Sequence, residues 1–446
     1  MTLRATIGTL AIGCLFVGTM PAYAHHVAGH PEGITFGQSS GGSLSQIIPN
    51  LFGVAGITNF KVVQLGCCPQ GHLPHFQVAS DRELTSLNDA LRGQLANIPL
   101  PSPASGFTFQ LDPALGTFVR TTEGFGPIYA ERAETIGRRR LAIGFGYSHF
   151  DFTQLDGREL DNGEVALTFL HEPTAALNAA KGLPNNAGRP FGFEQDTVTA
   201  RIFADVDADV FLFTATYGLL DNLDLSLAIP IIRISMDVRG VATSNNQSRT
   251  AGGAPVPGTF AHTFANGQNT FETGQVSEES TGLGDIILRA KYNFYRQKPM
   301  ALAGGLDLRL PTGDEDELRG VGSVRVRPFF ILSAGSWYGI SPHVNLGFDL
   351  GDSDAVDNEF FYRVGFDWAV LKPLTLAFDI LGRYVIDNNR LQPDGQPAGD
   401  HIVDASIGLK FNPWRNLLIL ANVLVPINDT GLRASFVPYV GVEWTF

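Results

Sequence analysis

The sequence has little charge for a chain of 446 residues. Charged residues make up 17% of it and the formal net charge is −13, whereas roughly 25% is usual in soluble proteins. An acidic chain lacks the concentrated Lys and Arg that phosphate backbones require, which excludes nucleic acid as the partner. The chain is also too apolar for disorder and, with 50 Gly, too rich in glycine for a helical bundle.

Long apolar runs are missing after residue 24, so the mature chain has no predicted transmembrane helix. Before that point Arg4, the apolar core Ile7–Gly18 and the small-residue motif Ala22-Tyr23-Ala24 predict a signal peptide over residues 1–24. An exported chain without such a helix is either soluble or a membrane barrel, since barrel strands alternate and carry no long apolar run.

The remainder of the chain is rich in segments of ten to fourteen residues that alternate between apolar and polar side chains. In Gly282–Tyr295 the even positions include Leu288 and Tyr292, while the odd positions include Arg289 and Lys291. Successive strand side chains point to opposite faces, so each such segment predicts one apolar and one charged face.

The connections between these segments alternate between short turns and long loops, which is typical of outer-membrane barrels. Phe446 ends the chain on the same face as Trp444, as in a C-terminal membrane-assembly signal. These features favour a barrel over a soluble sandwich. We expect an all-β transmembrane barrel of about fourteen antiparallel strands over residues 106–446, including strands that start near residues 107 and 162. A strand from Thr197 is expected to continue beyond the bilayer.

Residues 25–105 do not show the alternation. Ser80-Asp81-Arg82-Glu83 forms a capping box, and leucines at helical spacing follow at 84, 87, 91 and 95. Prolines in Pro99–Pro103 end this helix. We expect this segment to be a small helical or irregular plug in the lumen, or a periplasmic extension.

Four stretches resemble the outer-membrane transporter family of the phenol meta-degradation (MetA-like) type: Gly124–Asp151, Tyr217–Pro230, Gly282–Tyr292 and Leu310–Asp314. That family is similar in outline to FadL-like channels, which are plugged fourteen-strand barrels. The resemblance implies passage of small hydrophobic or aromatic molecules and carries no catalytic motif.

Charged residues on the predicted inward face are the candidate solute path. They could guide anionic or aromatic solutes, because arginine also stacks on aromatic rings. Alternatively they only neutralise one another inside the barrel. The candidates are Arg289, Lys291, Arg309, Arg325, Arg327, Arg363, Asp285, Asp307, Asp367 and Glu443.

Metal and enzyme signals are weak. Cys67, Cys68, His72 and His75 carry metal-ligating atoms, but their spacing does not match a zinc motif, and we expect neither metal nor cofactor. No nucleophile-elbow, P-loop or zinc-protease motif is present. Because Ser148 and His149 are adjacent in a strand, they face opposite sides and cannot act together.

We therefore expect a non-enzymatic channel in the bacterial outer membrane for passive diffusion of a small hydrophobic or aromatic solute. Its expected partners are outer-membrane lipid, lipopolysaccharide and the barrel-assembly machinery. The alternatives are a structural or surface-interaction barrel with a closed lumen and an unspecific porin.

Overall fold

A computed structural model describes residues 43–47, 51, 91, 93–95, 98–112, 117–170, 197–245, 271–352, 356–386 and 398–446. These residues form an all-β structure, which confirms the expected fold class. Helical structure among these residues is confined to a 3₁₀ turn at Leu44–Gln46 and to positions 47, 51, 91 and 93–95. No helix among the described residues is long and apolar enough to span a membrane. The predicted signal peptide, the capping box and the Cys67–His75 cluster lie outside the described residues.

Eighteen strands are present in the described part of the chain. They are β1 Phe109–Asp112, β2 Thr117–Arg120, β3 Leu141–Leu155, β4 Arg158–Glu159, β5 Val165–Leu170, β6 Thr197–Leu220, β7 Leu223–Asn245, β8 Phe271–Leu283, β9 Ile286–Gln297, β10 Met300–Leu310, β11 Arg325–Ala334, β12 Ile340–Gly351, β13 Glu359–Leu371, β14 Leu374–Val385, β15 His401–Trp414, β16 Leu417–Pro426, β17 Leu432–Ala434 and β18 Val437–Thr445.

The sheet closes on itself because β3 pairs with β18 on one edge and with β6 on the other. Every neighbouring pair in the ring is antiparallel. At the seam Phe446 N donates to Leu141 O, at 2.7 Å. The ring contains twelve strands: β3, β6, β7, β9 to β16 and β18. A closed ring leaves no unpaired edge, which is the condition for a sheet to cross hydrocarbon.

The expected count of about fourteen strands is wrong by two, for local reasons. Near residue 107 the chain forms the separate hairpin β1–β2, since Pro113 interrupts the run and cannot donate to a ladder. Near residue 162 the chain forms β5, which pairs only with the first six residues of β6. Further along β6 that edge is occupied by β3, so β5 has no place in the ring.

Strands β6 and β7 extend past the rest of the barrel, as expected for the strand that begins at Thr197. They pair over more than twenty residues, and β8 continues the far part of β7 while β9 follows its near part. The break between β8 and β9 lies opposite Pro230, where Gly284 N donates to Pro230 O (2.9 Å). Asp285 leaves the ladder there, and its carboxylate is buried.

Outside the ring an apolar belt covers the strands. Among its exposed members are Ile143, Phe213, Leu306, Val364, Ile407 and Val442. On β6 and β7 the belt ends at Phe211 and Ile231, and the next outward positions are Asp209 and Arg233. The outer surface therefore changes from apolar to charged where the tall strands leave the belt, as a bilayer boundary requires.

Residues 98–108 and 121–136, called here the inner segment, run inside the ring, and the hairpin β1–β2 lies between them in the chain. Their main chain contacts inward side chains on β6, β7, β9, β11 to β15 and β18. The first strand of the ring begins only at Leu141. Leu51, which precedes the inner segment in the chain, packs against the far part of β7. A Cβ atom added at Gly240 of that strand would lie 3.0 Å from the Leu51 side chain.

We expect Val364→Arg to destabilise the folded barrel in lipid by about 2–4 kcal/mol, because Val364 is 45% exposed within the apolar belt. Urea unfolding in liposomes, followed by tryptophan fluorescence, measures this change. Ser277→Arg is the matched control: Ser277 is on the charged outer face beside Asp237 (2.9 Å), and should change stability little. Equal effects of both substitutions would contradict the placement of the belt.

Candidate functional site

The inner segment has little regular structure of its own, so its backbone N–H groups need other partners inside the barrel. Side chains of the wall supply them. Asp379 Oδ2 accepts from the N–H groups of Ile128 and Tyr129 at 3.1 and 3.0 Å. Further acceptors are Thr375 for Phe125, Asn345 for Glu131, Ser333 for Ala133, Asp224 for Ile136 and Glu443 for Gly106.

The carbonyl groups of the same segment are held by donors of the wall. Lys291 Nζ donates to the carbonyls of Arg132 and Glu134 at 3.2 and 3.0 Å. Similar bonds run from Asn293 to Ala133, from Asn345 to Glu131, from Arg363 to Tyr129 and from Lys410 to Phe125. Polar wall residues thus replace the sheet partners that an irregular segment lacks.

Glu131 is the centre of the most tightly bonded cluster. It is 2% exposed and accepts from Arg289 and from the Ser102 hydroxyl, while Lys291 Nζ lies 3.6 Å from its Oε2. Burial alone raises the pKa of Glu131, but the charges of Arg289, Lys291 and Arg363 and the hydrogen bond from Ser102 together hold that pKa below its usual value. Arg289 also forms a bidentate pair with Asp307, at 2.5 and 2.6 Å.

A buried hydrogen-bonded chain joins Ser333, His343 and Asp367 on three successive strands. Ser333 Oγ lies 2.8 Å from Nδ1 of His343, whose Nε2 lies 2.7 Å from Asp367 Oδ1. These residue types also build hydrolytic triads. Here Ser333 is 1% exposed, and its oxygen accepts from the N–H of Ala133 (2.8 Å). The arrangement therefore anchors the inner segment and presents no accessible nucleophile.

The other half of the lumen contains a cavity of about 1650 Å³, counting its opening to solvent. One wall is apolar and comes from β3, β6, β7 and β16 to β18; it includes Phe150, Phe152, Val210, Ile232, Leu424 and Leu432. The opposite wall carries charges from β9 to β15. Leu95 and residues 98–103 form its floor.

The predicted inward residues all face the lumen, and they divide into two groups. Those that line the cavity are Asp285, Arg289, Asp307, Arg309, Arg325, Arg327 and Arg363. Lys291, Asp367 and Glu443 lie deeper and contact the inner segment or its anchors. Asp285 holds an adjacent loop, since it accepts from Gly313 N and Val321 N at 3.0 and 2.9 Å.

Three functional residues, Glu131, Ser333 and His343, are missing from the sequence prediction. Ser333 and His343 occupy inward positions of alternating strands, opposite each other in the register. The signal that predicts them is a polar side chain at an inward position of an alternating strand. Glu131 lies in the stretch Gly124–Asp151 that carries the family resemblance, but the resemblance gives it no role, and the inner segment has no periodicity from which its burial could be predicted.

Outside the barrel, one group of carboxylates could hold a cation among the residues that the structure describes. It comprises Asp151, Asp205 and Asp207, whose oxygens lie within 4.8 Å of one another. All three are on the charged outer face beyond the belt and are at least partly exposed. Exposed acidic groups are common without a metal, so we assign none here. Trp444 and Phe446 lie close together on the outer face of the seam, with ring centroids 6.4 Å apart.

Comparison with known proteins gives one family match. Residues 184–431 match the family described as "Putative MetA-pathway of phenol degradation". No curated protein sequence matches the chain.

Several solved structures are similar in fold. An outer membrane channel from Pseudomonas putida F1 has 11% identity and a TM-score of 0.42, covering 70% of this chain and 98% of its own. The toluene transporter TbuX of Ralstonia pickettii has 11% identity and a TM-score of 0.32, covering 71% and 92%. A FadL homologue from Pseudomonas aeruginosa has 11% identity and a TM-score of 0.31, covering 69% and 89%.

We expect Glu131→Gln to lower the stability of the folded barrel by about 3–5 kcal/mol, since it leaves the charges of Arg289 and Lys291 buried without their shared partner. The shift in heat-modifiability on gels, with the unfolding midpoint in urea, measures the loss. Glu164→Gln, at an exposed carboxylate, is the control with the same chemistry. Identical midpoints for wild type and Glu131→Gln would show that the cluster does not hold the inner segment.

Proposed function

Because the chain belongs to the family described as putative MetA-pathway of phenol degradation, we propose that it is a passive channel for small hydrophobic or aromatic solutes. The observation that carries the proposal is the two-sided cavity, with apolar side chains on one wall and arginines on the other. Ligand sites of this kind are largely apolar, with a few placed polar groups that set orientation. The matched transporter from Ralstonia pickettii is described as a toluene transporter.

The inner segment acts in this proposal as the plug. The predicted plug of residues 25–105 is then extended to residue 136, because backbone groups at Gly106 and between Phe125 and Ile136 are bonded to the wall on several sides of the lumen. The charged residues below the cavity, including Lys291, Asp367 and Glu443, hold the plug, and those around the cavity form the solute path.

In this proposal the barrel lies in the outer membrane, and the signal peptide at residues 1–24 directs its export. Lipid covers the apolar belt, and lipopolysaccharide head groups meet the charged outer face of β6 to β8. Trp444 and Phe446 are the part of the chain that the barrel-assembly machinery reads. The exposure of both rings at the seam supports this role of Trp444 and Phe446.

Transport, not catalysis, is the role that the interior favours, since the Ser333 hydroxyl is committed to Ala133 and His343. A closed structural barrel is the second candidate. It is favoured by the number of wall residues that are paired or bonded to the inner segment. An unspecific porin is disfavoured because the inner segment occupies one half of the lumen.

Uptake into proteoliposomes tests the channel. We expect purified protein to accelerate entry of an aromatic solute above the rate of empty liposomes, and Ala434→Phe to return it toward that rate, because Ala434 lines the cavity. Ala215→Phe adds the same ring on the lipid face, between Phe213 and Tyr217, and should leave uptake unchanged. No acceleration by the wild-type protein would favour the closed barrel instead.

Removal of the plug tests the role of the inner segment. A chain without residues 25–136 should show larger and less selective conductance in planar bilayers, whereas a chain without residues 25–42 should match the full-length protein. Where the truncated barrel does not fold, Glu131→Gln carries the test, and more frequent open events are expected. Unchanged conductance in a folded truncated barrel, or unchanged opening in Glu131→Gln, would refute the plug.

A further inference from the structure

The charges that line the cavity are not balanced. Seven arginines and five carboxylates contribute to its surface, an excess of two positive charges. Four of the arginines have one carboxylate partner each in the lining: Arg289–Asp307, Arg309–Asp285, Arg383–Glu359 and Arg433–Asp404. Of the remaining three arginines, Arg325 and Arg327 share the single carboxylate of Asp349, and Arg363 pairs with no carboxylate of the lining.

Arg325 is the structural member of these three. It is 1% exposed and donates to Asp349 Oδ1 (2.8 Å) and to the carbonyls of Val356 and Asp357 (2.9 and 2.8 Å). Its hydrogen-bonding capacity is used within the wall and the adjoining loop. Arg327 donates to the other oxygen of the same carboxylate, Asp349 Oδ2, so one negative charge faces two guanidiniums. The excess positive charge therefore lies at the group formed by these two arginines and Arg363, of which Arg327 and Arg363 are the members not fixed to the adjoining loop.

Arg327 and Arg363 both face the cavity and flank the same aromatic ring. Their guanidinium carbons lie 5.2 and 5.7 Å from the centroid of Phe361. The side chain of Arg327 is 22% exposed. Among the residues that the structure describes, Arg363 forms no ion pair with a carboxylate; its bond is to the carbonyl of Tyr129.

The wall across the lumen from this pair is apolar. In the order of the ring, β11 and β13 carry Arg327 and Arg363, and β3 lies on the opposite side. There Phe150 and Phe152 are stacked, with centroids 5.7 Å apart. A ligand in the cavity thus meets two cations beside a ring at one end and aliphatic and aromatic carbon at the other.

We infer that the cavity selects amphipathic monoanions, that is, aromatic or alkyl carboxylates whose head group binds Arg327 and Arg363 beside Phe361 while the apolar part lies against β3. The inference rests on the proposed channel function and adds the head group to it. A guanidinium suits a carboxylate because it donates two parallel hydrogen bonds to it. A neutral solute of the same shape leaves Arg363 without an anionic partner and leaves Arg327 to share Asp349 with Arg325.

Three ligands that share one carbon skeleton separate head group from hydrophobic contact: 4-phenylbutyrate, 4-phenylbutanol and 4-phenylbutylamine. Binding is measured by calorimetry at pH 8 on the full chain in nanodiscs, with empty nanodiscs subtracted. We expect the wild-type protein to bind the carboxylate at least about tenfold more tightly than the alcohol, the ratio expected for one charge-assisted hydrogen bond. The amine should bind most weakly.

The variant Arg327→Gln/Arg363→Gln should bring the carboxylate-to-alcohol ratio close to one without weakening the alcohol. Arg327→Lys/Arg363→Lys keeps the charge and should retain part of the preference. Arg233→Gln removes one positive charge from the outer face and should leave the full preference for the carboxylate over the alcohol. Where the double variant does not fold, Arg327→Gln and Arg363→Gln are compared singly, and each should lower the ratio.

The outcomes separate this inference from the channel proposal. Equal binding of carboxylate and alcohol by the wild-type protein, or a preference that survives loss of both guanidiniums, would overturn the anion selection and leave a channel for neutral solutes. If none of the three ligands binds and none enters proteoliposomes faster than through lipid, the channel proposal fails together with the inference.

Discussion

An irregular segment inside a closed barrel is the constraint on which the rest of this structure depends. The backbone N–H and C=O groups of residues 98–108 and 121–136 cannot join the barrel sheet, because every edge in the ring is already paired. Left without partners in a buried place, each would cost free energy comparable to a lost hydrogen bond. The wall supplies these partners as inward-facing carboxylate, amide, hydroxyl and cationic side chains. Much of the polar face is therefore determined by the segment that it surrounds.

The lumen divides into two regions with different electrostatics. Below the cavity the charged side chains bond to main-chain atoms, to Glu131 or to the His343–Ser333 anchor, so their positions are fixed by the inner segment. Around the cavity four of the seven arginines each pair with a different carboxylate of the wall. Arg289 and Arg363 belong to both regions: Arg289 joins Asp307 to Glu131, and Arg363 bonds to Tyr129 while facing the cavity. The contents of the cavity and the position of the inner segment are thus linked through two side chains.

The alternation of apolar and polar residues was enough to predict the barrel, most of its strands and the inward side of each. It worked because lipid on one side and a polar lumen on the other impose a strict period of two. It failed near residues 107 and 162, where alternation is present but a place in the ring is not: Pro113 ends one run, which pairs only within its own hairpin, and β3 already occupies the part of the β6 edge that the other would need. The inner segment escaped prediction for the opposite reason. Its contacts are made by main-chain atoms, which leave no pattern in the side chains, so Glu131 could be recognised only from its surroundings in space.

Pairing and guidance, the two interpretations of the inward charges, apply to different residues of one wall. A buried ion pair adds little net stability, because desolvation offsets most of the attraction, but removal of one partner is costly. The one-to-one pairs around the cavity therefore fix the shape of the wall and offer little to a solute. Arg325 and Arg327 share one carboxylate, Arg363 pairs with none, and the donors of Arg325 are bonded within the wall and the adjoining loop. The positive charge that remains lies where Arg327 and Arg363 flank Phe361, at the boundary between the ionic and the apolar surfaces, and it is there that a solute with both characters would find a partner for each.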